Sequence, residues 1–253
     1  MNGDPPLRRR LLREAILLAL LWGAYSLGRW VAAQHAGNAF FHADEVWSVE
    51  RGLQLPNEAH VQDWLLQWPL VIRGANSYYA WVHFPATVAC LAFLFIRFPR
   101  HYLWFRRVLA SITAAALLIH LVYPLAPPRM LSQHGFVDTG VHFGQSVYGP
   151  AAGSNGLANQ FAAMPSMHVG WAIAVAVALA AVTPRWLRAL WFVHPVLTFT
   201  VVVVTANHFW LDGVVAAGLV AVAIAVQPWP GFERAPGLRA PPDRGPQVSS
   251  AGV

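Results

Sequence analysis

The sequence predicts an all-α fold, a polytopic membrane protein in which six transmembrane helices form a bundle with short interfacial helices on the outer side. Of its 253 residues, 57% are hydrophobic and 11% are charged, which is too apolar for an ordinary soluble domain. Apolar runs of roughly the 20 residues needed to cross a bilayer recur along the chain. Arginine clusters flank these runs unequally, as expected for a chain that crosses a membrane several times.

Six apolar runs are long enough to be candidate membrane spans. They are Leu11–Ala33, Tyr79–Phe98, Val108–Pro124, Pro165–Val182, Leu190–Ala206 and Phe209–Val226. Arginines precede the first run and follow the second and the fourth, so the positive-inside rule places both termini in the cytoplasm. The first run follows a basic segment, is long and shows no small-residue cleavage site, so we expect a retained helix rather than a signal peptide.

These spans divide the chain into three parts. Residues 1–10 are a basic cytoplasmic segment, residues 11–227 are the six-helix membrane domain, and residues 228–253 are a cytoplasmic tail. The tail is rich in Pro, Gly and Arg, a composition typical of disorder.

Two long segments fall on the outer side of the membrane in this topology. The first, Gln34 to Ser77, combines acidic residues with Trp and Leu, which suits short amphipathic helices lying in the interface. The second, Met130 to Met164, mixes Gly, Ser, Asn and Gln with aromatic residues. An outer loop of that length usually binds a ligand or gates access to a site.

The charge and cysteine content exclude several classes of function. The net charge of +6 comes from seventeen basic residues, all of them Arg, and most of these cluster beside apolar runs. Their placement indicates membrane topology rather than a nucleic-acid surface. The single cysteine, Cys90, lies inside an apolar run, so neither a disulfide framework nor a cysteine metal site is available.

The first candidate site segment is Pro165-Ser166-Met167-His168, at the start of the fourth span. Polar groups at that depth need partners, so their presence indicates a site. Pro165 suits the first turn of a helix, whose free N–H groups can hold an anion. We expect Ser166 and His168 to line this anion site.

Two further polar clusters fall on the same side of the membrane. One follows the third span and runs from Tyr123 to Arg129, and the other lies between the fifth and sixth spans and contains Asn207, His208 and Asp212. His208 and Asp212 are four residues apart, so on a helix the carboxylate can reach the imidazole. This pair has the form of a base and the group that orients it.

Most other histidines and arginines have a plainer interpretation. A lone His near a membrane surface is more often a satisfied interfacial residue. We expect this of His35, His42, His101 and His194. Arg129 differs, because it is one of only four arginines that fall on the outer side, against the charge bias. The four are Arg29, Arg51, Arg73 and Arg129.

The three clusters together resemble the type 2 phosphatidic acid phosphatase superfamily of membrane enzymes. They resemble in particular the branch that contains fungal inositol phosphorylceramide synthase and related bacterial proteins. The resemblance covers roughly the second half of the chain and rests on three motifs. They are Tyr123-Pro-x-x-Pro-Pro-Arg129, Pro165-Ser166-Met167-His168 and Asn207-His208-x-x-x-Asp212. Other positions agree more loosely with the bacterial branch: Glu50, Glu58, Asn76, Tyr79, His83 and Asp138-Thr139.

The resemblance implies phosphoryl transfer without a metal or another cofactor. His208 would attack phosphorus and become phosphohistidine, Asp212 would orient it, and His168 would protonate the leaving oxygen. Arg129 and Ser166 would hold the phosphate. The residue types fit this chemistry, because a histidine nucleophile needs a carboxylate on its other nitrogen and a departing alkoxide needs a proton donor.

The chain departs from the family pattern in its cations. It contains no Lys, and Val201-Val202 stands where the phosphatase branches carry Ser-Arg. Asn207, Tyr123 or Gln160 would then complete the phosphate site. This scarcity of charge fits the inositol phosphorylceramide synthase branch better than a broad phosphatase.

The implied partner is a lipid or polyprenyl phosphate held in the bilayer, and no nucleic acid is expected. The protein would be a multi-pass protein of the cell membrane with its site facing the extracytoplasmic side. The motifs leave open whether water or an alcohol takes the phosphoryl group, and they leave open the oligomeric state.

Three alternatives use the same residues differently. A serine hydrolase would take Ser166, His208 and Asp212 as a triad, but the chain lacks a Gly-rich nucleophile elbow, and this leaves His168 and Arg129 unused. A zinc site would take His168, His208 and Asp212 as ligands, although Asp212 is better used to orient its helical neighbour. A lipid-binding or translocating protein without catalytic activity would explain the missing cations.

Overall fold

The structure is a computed structural model, and it describes residues 38–144 and 160–232 together with part of 8–27. Most of the predicted segment 1–10, much of the predicted first span Leu11–Ala33 and the tail from residue 233 lie outside the described residues. Within the described ranges the chain forms helices and no named strand.

Nine α-helices follow one another within the described ranges 38–144 and 160–232. They are α1 (Ala39–Gly52), α2 (Glu58–Leu66), α3 (Pro69–Trp81), α4 (His83–Arg97), α5 (Pro99–Val122), α6 (Thr139–Phe143), α7 (Met167–Val182), α8 (Val193–Val204) and α9 (Trp210–Val226). Three 3₁₀-helices lie between them, at Pro128–Met130, Ser132–His134 and Arg185–Phe192. The centre of the bundle is α7, because it packs against α4, α5, α8 and α9.

Two helical stretches are long and apolar enough to cross a membrane, α5 with 24 residues and Arg185–Val204 with 20. α3 and α4 meet the same criterion together, but they are bent by 43° around Val82, inside the predicted span Tyr79–Phe98. α7 and α9 are apolar but have 16 and 17 residues. At ~1.5 Å per residue they fall short of a hydrocarbon core of about 30 Å. The described residues thus have the make-up of a helical membrane protein with two or three helices of crossing length, fewer than the six predicted.

The helices end at other residues than the predicted spans do, and proline and capping residues explain the differences. The predicted span Val108–Pro124 begins earlier, at Pro99, because proline is well suited to the first position of a helix. The predicted span Pro165–Val182 begins later, because Ser166 caps α7. The predicted span Leu190–Ala206 starts as 3₁₀-helix and becomes α-helical only in α8.

The core around α7 is built from small side chains. Six of its alanines are buried: Ala172, Ala174, Ala176, Ala178, Ala180 and Ala181. Small residues let neighbouring helices approach closely, which matters in lipid because apolar surface alone does not drive helices together. Phe105 and Ile112 of α5 pack in the same cluster, and Trp171 donates a hydrogen bond from Nε1 to Thr113 Oγ1 at 3.1 Å. This packing holds the start of α7, which carries the first candidate site segment.

The segment from Gln34 to Ser77 is predicted to form short amphipathic helices at the interface. Its described residues form α1, α2 and most of α3, and their location at an interface stays a prediction. Ala43 and Val46 of α1 pack in one cluster with Leu131 and with Phe209, which lies just before α9. α1 therefore covers the loop that carries the arginine motif and the start of α9.

Candidate active site

His208 lies in the buried turn between α8 and α9. Its Nδ1 is 2.8 Å from the carbonyl oxygen of Ala163 and 3.1 Å from Oδ2 of Asp212. A carbonyl oxygen only accepts hydrogen bonds, so Nδ1 must carry the hydrogen. In the neutral ring Nε2 is then the unprotonated nitrogen, as a nucleophile requires.

Asp212 is fully buried in the first turn of α9, and one of its oxygens accepts hydrogen bonds from two donors. Its Oδ2 accepts the Phe209 N–H at 2.9 Å and faces Nδ1 of His208 at 3.1 Å. The other oxygen, Oδ1, is buried and accepts no hydrogen bond from a described residue. The predicted contact between His208 and Asp212 is present, and the same carboxylate also caps the helix.

His168 is the second residue of α7 and lies next to His208, with 5.8 Å between the ring centroids. Its ring also stacks on Tyr79 of α3 at 4.4 Å and meets His83 of α4 at 4.6 Å. The structure brings the two predicted histidines together. It adds two ring neighbours that the sequence indicated only through the looser resemblance.

Ser166 is the N-cap of α7 and is fully buried. Its Oγ accepts the Val169 N–H at 3.4 Å, and its own N–H donates to the carbonyl oxygen of Asp212 at 3.0 Å. The peptide N–H groups of Met167 and His168 make no hydrogen bond to a described residue. The start of α7 is thus tied to the start of α9 and keeps two donors of the kind that can hold an anion.

Arg129 is buried and contacts the turn that precedes His208. Its Nη1 donates to Asn207 Oδ1 at 2.9 Å, and its peptide N–H donates to the carbonyl oxygen of Ala206 at 2.8 Å. Its Nε lies 3.4 Å from Oδ2 of Asp138, which offers a partial counter-charge. Arg129 and Asn207, both predicted to bind phosphate, therefore contact each other beside His208.

Tyr123 is a predicted site residue whose observed contacts are with α1. Its hydroxyl donates to Glu45 Oε2 at 3.3 Å, and its ring stacks on His42 at 4.1 Å between centroids. Tyr123, Glu45 and Leu211 line an open cavity of about 580 Å³ on this side of α1. The role of Tyr123 as a phosphate ligand stays a prediction, as does that of Gln160.

Two buried glutamates are not among the predicted site residues, yet they contact the start of α9. Glu50 of α1 accepts the Leu211 N–H at 2.8 Å, and Glu58, the first residue of α2, accepts the Trp210 N–H at 3.4 Å. The partners are 161 and 152 residues apart in the chain, so no local pattern could predict these contacts. The looser resemblance at both positions is the sequence signal for them.

The geometry favours the histidine pair over the other two catalytic alternatives. In the described structure Ser166 Oγ is used as a helix cap and makes no hydrogen bond to His208, so a serine triad is not assembled. Across 38–144 and 160–232, no three His, Cys, Asp or Glu side chains are grouped so as to hold a metal ion.

Comparison with known proteins identifies the family. A family model described as the PAP2 superfamily matches residues 44–226, which is more than half of the chain and contains every predicted site residue. The match does not single out the inositol phosphorylceramide synthase branch. No curated protein and no solved structure gives a match. The extent of the family match shows that the chain belongs to the PAP2 superfamily, whose members are generally phosphatases.

Proposed function

We propose that the chain is a membrane-embedded enzyme that takes the phosphoryl group from a lipid or polyprenyl phosphate through a phosphohistidine at His208. Membership of the PAP2 superfamily supports phosphatase-type activity on phosphate esters. The observation that carries the finer proposal is the hydrogen bonding of Nδ1 to Ala163 and Asp212, which leaves Nε2 free to attack phosphorus.

In the first step Nε2 of His208 attacks phosphorus, and the bond between phosphorus and the lipid oxygen breaks. Protonated His168 gives its proton to that oxygen, so the alcohol departs neutral. The 5.8 Å between the two ring centroids supports their acting on one phosphoryl group. Asp212 stabilises the positive charge that develops on the attacking imidazole.

In the second step water or an alcohol attacks phosphorus, and the bond to Nε2 of His208 breaks. His168, now neutral, accepts the proton of the attacking hydroxyl, which restores both side chains. Attack by water releases phosphate if the substrate is a monoester, or a phosphate monoester if it is a diester, and makes the enzyme a hydrolase. Attack by an alcohol gives a new phosphate ester and makes it a phosphotransferase. No step in this scheme uses a metal ion.

The phosphate charge is met by few cations in this proposal. Arg129 is buried beside the nucleophile, and the peptide N–H groups of Met167 and His168 add donors at the start of α7. Lys is absent from the chain, and Val202 stands where related phosphatases carry Arg. We therefore expect a phosphodiester or pyrophosphate-linked lipid, as the inositol phosphorylceramide synthase branch would use, rather than a phosphomonoester dianion.

The proposed setting is a domain that crosses the membrane six times, with both termini in the cytoplasm and the site open to the extracytoplasmic side. The arginine asymmetry supports the orientation, and the crossing-length stretches α5 and Arg185–Val204 support the membrane location. A reporter fused into Met130–Met164 should give an extracytoplasmic signal. A cytoplasmic signal there would overturn the topology.

The testing experiment is turnover by purified protein in lipid nanodiscs with a chelator, on a panel of polyprenyl and glycerolipid phosphates. Substrate labelled in the phosphoryl group should leave an acid-labile, alkali-stable label on the wild type and none on His208→Ala. His60→Ala, at an exposed histidine of α2, is the matched control and should label like the wild type. A label that persists in His208→Ala refutes the nucleophile, and lipid binding by wild type without turnover favours the non-catalytic alternative.

A further inference from the structure

The first turn of α9 is held by carboxyl groups from three helices, α1, α2 and α9 itself. The peptide N–H groups of three consecutive residues donate to them. The pairs are Phe209 with Asp212 Oδ2 at 2.9 Å, Trp210 with Glu58 Oε1 at 3.4 Å and Leu211 with Glu50 Oε1 at 2.8 Å. Such N–H groups usually bond to water or to a single capping residue. The two glutamates therefore fasten α1 and α2 to the helix that carries the His208–Asp212 pair.

The charges around Glu50 do not balance if every carboxyl group is ionised. Glu50, Glu58 and Asp212 are all fully buried. The described cation that faces them is Arg51, whose Nη2 lies 2.9 Å from Glu58 Oε2 and 3.6 Å from Glu50 Oε2. Both glutamates thus lie close to the same guanidinium nitrogen, and neighbouring buried carboxyl groups disfavour full ionisation. The partial positive charge at the start of α9 offsets only part of the excess negative charge.

Glu50 is the group in this cluster that is best placed to keep a proton. Its Oε1 is used by the Leu211 N–H, whereas its Oε2 is buried and accepts no hydrogen bond from a described residue. Burial, followed by hydrogen bonding to Glu58 and the negative charges of Glu58 and Asp212, raises the pKa of Glu50 to about 9. A proton on Oε2 would turn this unmatched acceptor into a donor toward the Glu58 carboxylate.

We propose that Glu50 and Glu58 share one proton and act as positioning residues, holding the start of α9 so that His208 and Asp212 stay aligned. This inference rests on the proposed phosphohistidine function for its kinetic consequences. The shared proton lets two buried carboxyl groups sit side by side and still receive adjacent peptide N–H groups. Loss of that proton leaves Glu50 and Glu58 repelling each other and Asp212, which loosens the contact of α9 with α1.

The sign of the pH effect follows from the raised pKa of Glu50. The folded protein keeps this proton up to about pH 9, whereas the unfolded chain releases it near the ordinary value of 4.5. The native state thus binds more protons between these values, so stability decreases as the pH rises through that window. Histidine side chains ordinarily titrate in the lower part of this window, and the chain has no Lys to titrate just above it. A change in stability near pH 9 is therefore informative about Glu50.

The kinetic test compares Glu50→Gln with Glu50→Leu, and uses Asp63→Asn on the exposed face of α2 as the matched control. A glutamine can accept the Leu211 N–H and donate to Glu58 without titrating. We expect Glu50→Gln to keep most of kcat at neutral pH. It should lose the alkaline limb near pH 9 that the wild type and the control show in addition to any limb set by His168, the proposed general acid. Glu50→Leu should lose roughly ten- to hundredfold in kcat with a smaller change in KM, because catalytic groups misplaced by about 1 Å can cost on the order of 10²-fold.

A second readout does not depend on turnover. Infrared difference spectra of wild type minus Glu50→Gln should show one carboxylic-acid C=O band at neutral pH that disappears with a midpoint near pH 9. The absence of this band overturns the shared proton, whether or not the protein is an enzyme. If phosphohistidine forms but Glu50→Gln keeps the wild-type alkaline limb, or if Glu50→Leu matches the wild type in kcat, the positioning role is wrong. If neither the wild type nor any variant turns over a substrate, the proposed function is wrong. The infrared band still shows whether Glu50 and Glu58 share a proton.

Discussion

Replacement of Asp212 by Asn tests which group fixes the tautomer of His208, the proposed nucleophile. One oxygen of Asp212, Oδ2, serves both the Phe209 N–H and His208 Nδ1. The carbonyl oxygen of Ala163 accepts from the same Nδ1 at 2.8 Å. An asparagine with its oxygen in the Oδ2 position still accepts hydrogen bonds from the Phe209 N–H and from His208 Nδ1. With the amide turned the other way, its NH2 group would donate to Nδ1, which would then face the Ala163 carbonyl oxygen without a hydrogen. We therefore expect Asp212→Asn to retain the tautomer and to lose only the negative charge.

The expected loss of rate in Asp212→Asn follows from the loss of negative charge alone. A hydrogen bond to a charged group contributes about 1.5–3 kcal/mol, which corresponds to phosphohistidine formation that is roughly 10- to 150-fold slower. An inverted tautomer would be far more damaging, at roughly 10⁴-fold by analogy with a serine protease triad. The structure predicts the smaller loss for Asp212→Asn, because Ala163 remains as an acceptor.

The assay is single-turnover formation of the labelled phosphohistidine by rapid quench, with melting temperature measured on the same samples. Asp63→Asn, which removes an exposed carboxylate, should give the wild-type rate. A loss of roughly 10⁴-fold or more in Asp212→Asn at an unchanged melting temperature would show that Ala163 does not fix the tautomer. A rate within twofold of wild type would show that Asp212 has no electrostatic role.

Three further predictions concern the other parts of the site. His168→Ala should abolish turnover of ordinary lipid substrates but recover partly with a very good leaving group, while a variant lacking the nucleophile should not recover; equal recovery would contradict the roles assigned. Arg129→Lys should cost about 2–4 kcal/mol of transition-state stabilisation, because an ammonium cannot reproduce the two-pronged contact of a guanidinium. The measurement is kcat/KM on a phosphodiester lipid and on its matched monoester. Faster wild-type turnover of the monoester would contradict the proposal that the substrate carries little charge. Gly213→Ala should lower stability by about 1–3 kcal/mol, because its Cβ would lie 2.4 Å from Phe199 Cε2. Gly218→Ala on the same helix meets open space and should melt at or slightly above the wild-type temperature, because alanine favours the helix. Equal melting temperatures for the two glycine variants would disprove the close packing.

The part of the site that could be predicted depends on short sequence separations. The contact between His208 and Asp212 follows from their spacing of four residues, and the cap at Ser166 follows from its place before an apolar run. The proximity of His168 to the nucleophile required the assumption that both lie on one side of a bundle, and the structure brings their rings together. Arg129 beside the turn at Asn207 agrees with the same assumption.

The remainder depends on tertiary contacts that no local pattern encodes. The glutamates reach α9 from helices that precede it by more than half of the chain, so Glu50 and Glu58 look in sequence like interfacial acidic residues. Tyr123 lies in the arginine motif, but its ring is held by His42 of α1. The lengths of the helices could not be obtained from hydropathy either, because caps and prolines decide where an apolar run becomes helical. The break around Val82, where α3 ends and α4 begins, is a further helix boundary that hydropathy alone does not show.

The carboxyl groups that fill the start of α9 make the two helix ends beside the histidines unequal. An oxyanion approaching α9 meets carboxyl oxygens, whereas one approaching α7 meets the N–H groups of Met167 and His168. The surroundings of the two histidines are therefore polarised. In the proposed function a phosphate ester would bind with its anionic oxygens toward α7 and Arg129. The side of the ligand that faces α9 should be uncharged, because it lies near these carboxyl oxygens. An inhibitor that imitates phosphate would gain nothing from a second anionic group there, but an uncharged hydrogen-bond donor at that edge could bind the carboxyl oxygens.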